Sequence, residues 1–395
     1  MSKELQDCFF DELHEHSLAK LNLLKNYAVK WMRKVTLGTM QKKCAIIDTF
    51  AGTGYYEDGS EGSPIIILRE AIDYAKQAQE KQNINFDKII LIFIEKDKKN
   101  FLRLQESLEK FLDSKIVADK YNKVLDYSNI ELYISNDDFN KFTDNLLKDV
   151  DHIIPTLMFI DPFGYKVLDY NSISKIINKY NQCELIINFM YEEINRFFLK
   201  EDSEKFKETL GGFYGPKYEE IKNIVANKSP QERRQIIIEG YKEGLKNAGS
   251  IFSLDFDIEK KGKIKMSLIF STKNLNGFDT MKESMFDICN NTDFEYHTFN
   301  PQMSLFQGDE EQKCIEELSV NIYNKFKTKT ASFMEIKEYA KKHPFIPSKF
   351  VKKSLKLLEQ KELINNVIKI DGSKRRIGTF PDDSIVNFGG EQDEM

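Results

Sequence analysis

Residues 46–64 read IIDTFAGTGYYEDGSEGSP, an apolar strand that ends at Asp48 and continues into a glycine-rich loop. Gly52 and Gly54 follow the strand closely, and Ser63 with Pro64 supplies the N-cap and first turn of a helix. Ligands of α/β sheets bind at the carboxyl ends of the strands, beside loops of this kind. The stretch therefore predicts the first strand, ligand loop and helix of an α/β fold.

The chain up to residue 189 repeats this alternation of apolar strands and amphipathic helices. A helix leads in at residues 16–32. The later strands are expected in KIILIFIE, IELYISN, PTLMFID and CELIINF, at residues 88–95, 130–136, 155–161 and 183–189. Strands that are apolar on both faces and separated by helices indicate a mostly parallel sheet covered on both sides.

Two further segments complete the expected α/β domain. Residues 191–250 form a helical, aromatic-rich insertion, with GGFYGP at 211–216 as a loop. Residues 250–274 are predicted to form a hairpin that turns at KKGK. This hairpin would add antiparallel strands to the edge of the sheet.

The pattern changes after a polar linker at residues 301–312. Three short helices are followed by a basic hairpin around Asp371 and Gly372. This is the arrangement of a winged helix-turn-helix, which we place at residues 313–385, with an acidic tail at 386–395.

Charge is distributed unevenly between these regions. The formal net charge is −5, yet residues 313–380 carry sixteen Lys and Arg against seven Asp and Glu. A basic module attached to an acidic α/β domain at residues 1–300 indicates a polyanion partner such as DNA or RNA. The expected nucleic-acid contacts lie on the third helix and at the hairpin tip: Lys349, Lys352, Lys353, Lys356, Lys374, Arg375 and Arg376. The alternative is a protein-docking fold whose charges serve solubility.

Composition excludes several other classes of protein. With 395 residues, of which 41% are apolar, the chain can bury a large core. Its five cysteines are scattered without a CxxC pair, which predicts neither a disulfide framework nor a metal site. No basic-then-apolar leader and no bilayer-length apolar run is present. We therefore expect a cytoplasmic protein with no membrane association.

Three classes of ligand use glycines at the end of a first strand. A phosphate-binding P-loop needs a lysine that is missing here, and a dinucleotide fold needs a third glycine where this chain has Glu57. Glu57, Asp58 and Glu61 place negative charge where a pyrophosphate would lie. S-adenosylmethionine carries no phosphate and has a cationic sulfonium, so the acidic loop favours it. The alternative is that Gly52 and Gly54 only form a tight turn.

The cofactor hypothesis assigns residues to three loops. The loop after the first strand lets the backbone approach the methionine end of S-adenosylmethionine. Glu95, after the second strand, accepts hydrogen bonds from the ribose, and Asn136 and Asp137, after the third strand, lie by the adenine. The expected cofactor-binding residues are Asp48, Phe50, Ala51, Gly52, Gly54, Glu95, Asn136 and Asp137.

The segment LMFIDPFGYK ends the fourth strand and opens into the same crevice. The candidate catalytic residues are Asp161, Pro162, Phe163 and Gly164. Asp161 and the Pro162 carbonyl would accept hydrogen bonds from an exocyclic amine, and Phe163 or Tyr165 would stack on a base. Holding the amine in this way would orient its lone pair. The alternative is a turn in which Asp161 caps the next helix.

These motifs carry a resemblance to a known family. IDTFAGTG, FIEKD and FIDPFG resemble motifs I, II and IV of class I S-adenosylmethionine-dependent methyltransferases. DPFG is similar to a segment of tRNA methyltransferases that form dimethylguanosine, and more loosely to the DPPY of DNA adenine methyltransferases. It lacks the second proline and the terminal aromatic residue of DPPY.

Longer stretches resemble the three-Cys-motif partner family. They lie at residues 48–71, 158–166, 189–197, 211–215 and 375–381. This resemblance implies a Rossmann-like class I methyltransferase fold with an appended winged helix. It also implies a neighbouring protein with three cysteines as a candidate partner.

Two functional hypotheses follow. The first is an S-adenosylmethionine-dependent N-methyltransferase that modifies an exocyclic amine of a nucleic-acid base held by the winged helix. The second is a non-catalytic interaction protein of methyltransferase fold that works with a three-cysteine protein. A dinucleotide-dependent oxidoreductase is disfavoured by Glu57.

Overall fold

The computed structural model describes residues 15–38, 42–80, 86–113, 122–127, 129–162, 164, 168–199, 204–260, 263–297 and 307–389. The chain forms two compact units, the first made of residues 1–277 and 296–298 and the second of residues 278–295 and 299–395. Some residues singled out by the sequence lie outside the described residues, namely Phe163, Tyr165, Gly262 of the KKGK turn and the acidic tail from residue 390.

The first unit alternates strands and helices. Its helices are α1 Glu15–Gly38, α2 Ser63–Glu80, α3 Lys98–Leu112, α4 Phe139–Asp149, α5 Tyr170–Lys179, α6 Tyr191–Phe198, α7 Glu204–Tyr214, α8 Tyr218–Val225 and α9 Pro230–Asn247, with a 3₁₀ turn at Gly215–Lys217. Its strands are β1 Lys43–Asp48, β2 Lys88–Ile94, β3 Asn122–Tyr127, β4 Ile130–Ser135, β5 Thr156–Ile160, β6 Cys183–Phe189, β7 Phe252–Lys260, β8 Lys263–Thr272 and β9 Glu295–His297.

In the described part of the chain, these strands form one sheet in the order β3-β4-β2-β1-β5-β6-β8-β7-β9. Strands β4, β2, β1, β5 and β6 are parallel, and the order reverses at β1, which pairs with β2 on one side and β5 on the other. This is a doubly wound α/β sheet, whose switch-point crevice opens at the carboxyl ends of the strands beside β1. The predicted α/β class is confirmed.

At the edges of the sheet, the sequence pattern predicted the hairpin but not strand β3. The predicted hairpin is present, since β7 pairs with β8, and β8 pairs antiparallel with β6. Strand β3 pairs antiparallel with β4 and was not predicted. Its sequence, NKVLDY, is polar at half of its positions and lacks the apolar run of the other strands.

The predicted loop GGFYGP is wrong over its first four residues, which belong to α7. Phe213 stacks on Tyr241 with ring centroids 4.9 Å apart, and Phe189 of β6 lies 5.5 Å from Phe213. Burial of these rings stabilises the helix by more than the two glycines weaken it. Gly215 ends the helix with a positive φ of 59°.

The second unit contains helices and a small sheet. Helix α10 Leu275–Cys289 enters this unit at Phe278, and it is followed by α11 Gln307–Phe326, β10 Thr330–Ser332, α12 Phe333–Lys341, a 3₁₀ turn at Ser348–Phe350, α13 Val351–Gln360, β11 Ile364–Lys369 and β12 Ser384–Phe388. The three strands are antiparallel in the order β10-β12-β11. Ser332 and Glu335 form a capping box at the start of α12.

The basic hairpin differs in part from its prediction. The chain does turn at Asp371 and Gly372, where the Lys369 N–H donates to the Ser373 carbonyl over 3.1 Å. The segment after the turn makes one antiparallel bridge with β11, between Ile368 and Lys374, whereas the strand that pairs with β11 along its length is β12. Beyond that bridge, Arg375 forms an ion pair with Glu359 of α13.

Residues 278–295 pack in the second unit, although the sequence analysis grouped them with the α/β domain. The Phe286 ring lies 5.2 Å from that of Phe350, and Asp279 accepts a hydrogen bond of 2.8 Å from the Ser348 N–H. These contacts join α10 to the turn before α13. Local sequence patterns could not predict these contacts, since they connect residues more than 60 positions apart.

Lys282 of α10 is fully buried at the centre of this contact. Its ammonium donates to the carbonyls of Lys341, His343 and Ile346 over 3.0, 2.7 and 3.0 Å. Burial lowers the pKa of Lys282 to about 8, against the opposing effect of Asp279. The lysine thus fixes the chain between α12 and α13 from inside.

Candidate functional site

A cavity lies at the carboxyl ends of β1, β5 and β6. It has a volume of about 800 Å³ when the open solvent at its mouth is included. Its walls include the loop of residues 50–56 after β1, Asp161, Pro162 and Gly164 after β5, and Asn188 of β6. The glycine loop and the DPFG segment, predicted to share one crevice, are therefore brought together.

The glycine loop is held in a conformation that needs glycine. Gly52 and Gly54 have positive φ values of 64° and 85°. A Cβ at Gly54 would lie 2.7 Å from the Ser107 Cβ of α3, and one at Gly62 would lie 2.8 Å from the Gly54 carbonyl oxygen. Gly54 and Gly62 therefore allow the loop to pack closely against α3 and against itself.

Asp48 and Glu95 are buried carboxyl groups beneath this loop. Burial raises the pKa of Asp48 to about 7, opposed by the Ser63 hydroxyl and the Phe50 N–H. Burial also raises the pKa of Glu95 to about 7, opposed by the N–H groups of Asp97 and Gly52. Both groups titrate near neutral pH because they are withdrawn from water.

Glu95 holds the loop in place. Its carboxylate accepts hydrogen bonds from the Gly52 N–H over 2.9 Å and the Asp97 N–H over 2.8 Å. Asn136 donates to the carbonyls of Glu95 and Lys96, and Asp137 pairs with Lys141. None of Glu95, Asn136 and Asp137 is among the residues that line the cavity. Their predicted contacts with ribose and adenine thus stay predictions.

Asp161 is engaged at both of its oxygens. Oδ2 forms an ion pair with Lys20 of α1, and Oδ1 accepts a hydrogen bond of 2.6 Å from Asn188 Nδ2. The sequence analysis expected Asp161 to accept a hydrogen bond from a substrate amine and did not identify these protein partners. Two of its four acceptor positions remain for such a group.

Lys20 was missed by sequence reasoning. Its side chain is only 6% exposed and lines the cavity from α1. Burial lowers its pKa, but Asp161, Tyr56 and Asp48 together raise it further, so the net pKa lies above the ordinary value. The available signal was its position seven residues before Tyr27, on the buried face of the helix.

Pro162 and Gly164 lie at the cavity wall as predicted. Gly164 has a φ of 93°, and a Cβ there would meet Glu193 Oε2 of α6 at 3.7 Å. Glu193 also lines the cavity. The lining therefore combines acidic groups with a single lysine among the described residues.

Asn188 lines the cavity, and its buried Oδ1 has no hydrogen-bond partner in the described part of the protein. Asp48 Oδ2 is also buried without one, although Asp48 does not line the cavity. A buried acceptor without a donor is unfavourable unless a ligand or water supplies one. The site is thus suited to a ligand that carries hydrogen-bond donors.

The seven basic residues predicted to contact nucleic acid have different surroundings. Lys349, Lys352 and Lys353 form ion pairs with Asp287, Asp382 and Glu311. The Arg375 side chain is only 5% exposed, pairs with Glu359 and stacks over Phe380. Lys356, Lys374 and Arg376 are exposed. Arg375 therefore has a structural position rather than the surface position expected for it.

No protein-family model matches the chain, and no curated protein matches it. The resemblance to the three-Cys-motif partner family accordingly stays a prediction.

Solved structures do match it. They include a Legionella pneumophila protein, LPL1258, with 12% identity and a TM-score of 0.34, covering 64% of this chain and 85% of that one. Trm1 from Pyrococcus horikoshii, solved with S-adenosyl-L-methionine, has 10% identity and a TM-score of 0.37 over 68% of this chain. Methanococcus jannaschii fibrillarin, a pre-rRNA processing protein, has 13% identity and a TM-score of 0.30 over 58% of this chain.

This chain spans 58% of Trm1 and 65% of fibrillarin, less than two thirds of either. At these identities and TM-scores the likenesses carry no argument about ligand or substrate. The fold class rests on the order and direction of the strands, which define a doubly wound α/β protein with a cavity at its switch point.

In the described ranges, no three His, Cys, Asp or Glu side chains are grouped so as to hold a metal ion. No helix there is long and apolar enough to span a bilayer.

Proposed function

We propose that the first unit binds S-adenosylmethionine in the cavity and transfers its methyl group to an exocyclic amine of a nucleic-acid base. The observation that carries this proposal is the shared cavity of the glycine loop and the Asp161–Pro162 segment at the carboxyl ends of β1 and β5. Phosphate-bearing cofactors are disfavoured because the carboxylates of Asp161 and Glu193 line the space.

The residues present fit this cofactor. Gly52, Gly54 and Gly62 line the cavity with backbone, and the unpartnered Oδ1 of Asn188 offers an acceptor to a donor group. Glu95 would have to turn from the Gly52 N–H to reach a ribose. When bound, the cofactor supplies a methyl group on a sulfonium, which an amine nitrogen attacks directly.

The chain's own contribution to the transfer is positioning. Asp161 and the Pro162 carbonyl accept hydrogen bonds from the two N–H groups of the target amine and so aim its lone pair across the cavity. Lys20 and Asn188 hold the Asp161 carboxylate in a fixed orientation. The proton released on transfer passes to water at the open mouth.

We further propose that the second unit is a winged helix-turn-helix that binds nucleic acid. The order α11, β10, α12, α13, β11, β12 supports this assignment, since three helices precede the final two strands. The exposed Lys356, Lys374 and Arg376 are the cations proposed to contact phosphates. Lys349, Lys352 and Lys353 would first have to leave their acidic partners.

The test is methyl transfer from labelled S-adenosylmethionine to RNA and DNA, with calorimetric binding of its demethylated product measured in parallel. Asp161→Asn should lower the transfer rate about 100-fold, since one positioning acceptor is lost. Asp151→Asn makes the same chemical change at a side chain that is 90% exposed and should have no effect. Absence of cofactor binding at millimolar concentration would remove the proposal.

A second candidate is a non-catalytic interaction protein that works with a three-cysteine partner. It is favoured by one observation, that both oxygens of Asp161 already have protein partners. In that case wild type and Asp161→Asn would bind cofactor and partner equally and neither would transfer a methyl group.

A further inference from the structure

Lys20 enters the cavity with most of its hydrogen-bonding capacity unused. An ammonium has three N–H donors, and the described residues provide one acceptor, Asp161 Oδ2. The side chain is nearly fully buried, so water reaches it only through the cavity. Buried charged donors are stabilised when a ligand completes their hydrogen bonds.

Asn188 presents the opposite capacity at the same place. Its Nδ2 donates to Asp161 Oδ1, which fixes the amide orientation, and its Oδ1 is buried without a partner in the described ranges. Lys20 and Asn188 contact the two oxygens of one carboxylate. Both residues line the cavity, on the two sides of this carboxylate.

This pairing restricts the chemistry of the group that fits. A phosphate would meet Lys20 but also Asp161 and the nearby Asp48, whose charges repel it. A simple amine would satisfy Asn188 and leave the Lys20 donors unpaired. A group that carries a carboxylate and an ammonium on one carbon satisfies both.

We propose that Lys20 and Asn188 form a subsite for an α-amino-acid headgroup, with Lys20 Nζ donating to the carboxylate and Asn188 Oδ1 accepting from the ammonium. The assignment rests on the proposed function, in which the cofactor ends in a methionine headgroup. It makes Lys20 a specificity-determining residue of the cofactor site, and Asp161 the counter-ion that orients it.

The test compares three ligands by calorimetry on the full chain. They are S-adenosylhomocysteine, its decarboxylated analogue, which keeps the amine, and methylthioadenosine, which lacks the whole headgroup. Wild type should bind S-adenosylhomocysteine about 10- to 100-fold more tightly than the decarboxylated analogue, as expected for one charge-assisted hydrogen bond. Methylthioadenosine should bind most weakly.

Variants of Lys20 test whether this residue causes the preference for S-adenosylhomocysteine over its decarboxylated analogue. Lys20→Met should remove the advantage of S-adenosylhomocysteine while changing the affinity for the decarboxylated analogue by no more than about twofold, because only the carboxylate contact is lost. Lys20→Arg should restore part of the advantage. Lys25→Met is the matched control, since Lys25 lies on the same helix but is half exposed and pairs with Glu70. Thermal melting of each variant checks that it folds.

The outcomes separate this inference from the proposed function. Equal affinities of wild type for S-adenosylhomocysteine and its decarboxylated analogue would overturn the headgroup subsite and leave the proposed function standing. A preference unchanged in Lys20→Met would do the same. If wild type binds none of the three nucleosides, the proposed function and the subsite are both wrong.

Discussion

Gly54 and Gly59 have the same left-handed backbone conformation in one loop but different surroundings. Their φ values are 85° and 83°. A Cβ at Gly54 would meet Ser107, whereas one at Gly59 would meet nothing within 4 Å. Comparing substitutions at these two glycines therefore separates the effect of the positive φ from the effect of close packing.

Gly54→Ala should destabilise the protein more than Gly59→Ala. Both changes place an L side chain at positive φ, at about 1 kcal/mol each, and Gly54→Ala adds a steric conflict with α3 of about 1–3 kcal/mol. Urea denaturation of both variants measures the difference. Equal midpoints would show that the contact with Ser107 does not restrict this loop.

The sequence predicted which residues surround the site better than it predicted their partners. Gly52, Gly54, Asp161 and Pro162 were expected in one crevice, and all four line the cavity. Lys20 was not expected, because a helix pattern does not specify which strand the helix lies against. One of the two partners of Asp161, Lys20, depends on that contact.

Helix α1 connects both ends of the parallel strands. Lys20 reaches Asp161, which follows β5, and Tyr27 donates a hydrogen bond to Glu184 near the start of β6. Burial raises the pKa of Glu184 to about 7, although Tyr27, Thr272 and Trp31 oppose the shift. The contact between α1 and β6 is therefore expected to depend on pH.

The sign of this dependence follows from the raised pKa. A carboxyl group whose pKa is higher in the folded than in the unfolded chain contributes stability that is full below about pH 4.5 and is lost as pH rises through 7. The contribution lost is up to about 3 kcal/mol. Glu184→Gln should therefore be more stable than wild type at pH 8 and similar to it at pH 5.

Thermal melting at both pH values checks this expectation. Glu219→Gln, at an exposed position on α8, should follow the wild-type pH dependence. A Glu184→Gln variant that loses as much stability as wild type between pH 5 and pH 8 would contradict it.

At the level of elements, long apolar strands and capped helices were predictable because local pattern and burial agree. Strand β3 and the first turns of GGFYGP were not, since their conformation depends on partners distant in sequence. β3 needs the edge of β4, and Phe213 needs Tyr241. Tertiary contacts overrode local propensity in both places.

For the whole molecule, the sequence predicted a basic second unit, and the structure divides its cations into two groups. Lys349, Lys352, Lys353 and Arg375 have acidic partners within that unit. Lys374 and Arg376 are exposed beside the Asp371–Gly372 turn. Linear charge counting could not separate the groups, because the acids come from α10, α11, α13 and the segment before β12.

Replacing Lys374 and Arg376 by alanine should weaken nucleic-acid binding about tenfold and lower its salt dependence by about two counterions. The matched control replaces Lys327 and Lys329, two exposed lysines of the same unit. Fluorescence anisotropy over a salt series measures both quantities. Equal losses in the two double variants would indicate non-specific charge attraction rather than a contact at the turn.

The buried Lys282 can serve as a probe of the rate at which the second unit opens. Acylating reagents react with an amine only when it is accessible, and this amine is covered by three carbonyl groups. Peptide mass spectrometry after timed acylation should find Lys282 modified only as fast as the unit opens, whereas the exposed Lys374 is modified at once. One side chain thereby reports the opening rate without any introduced label.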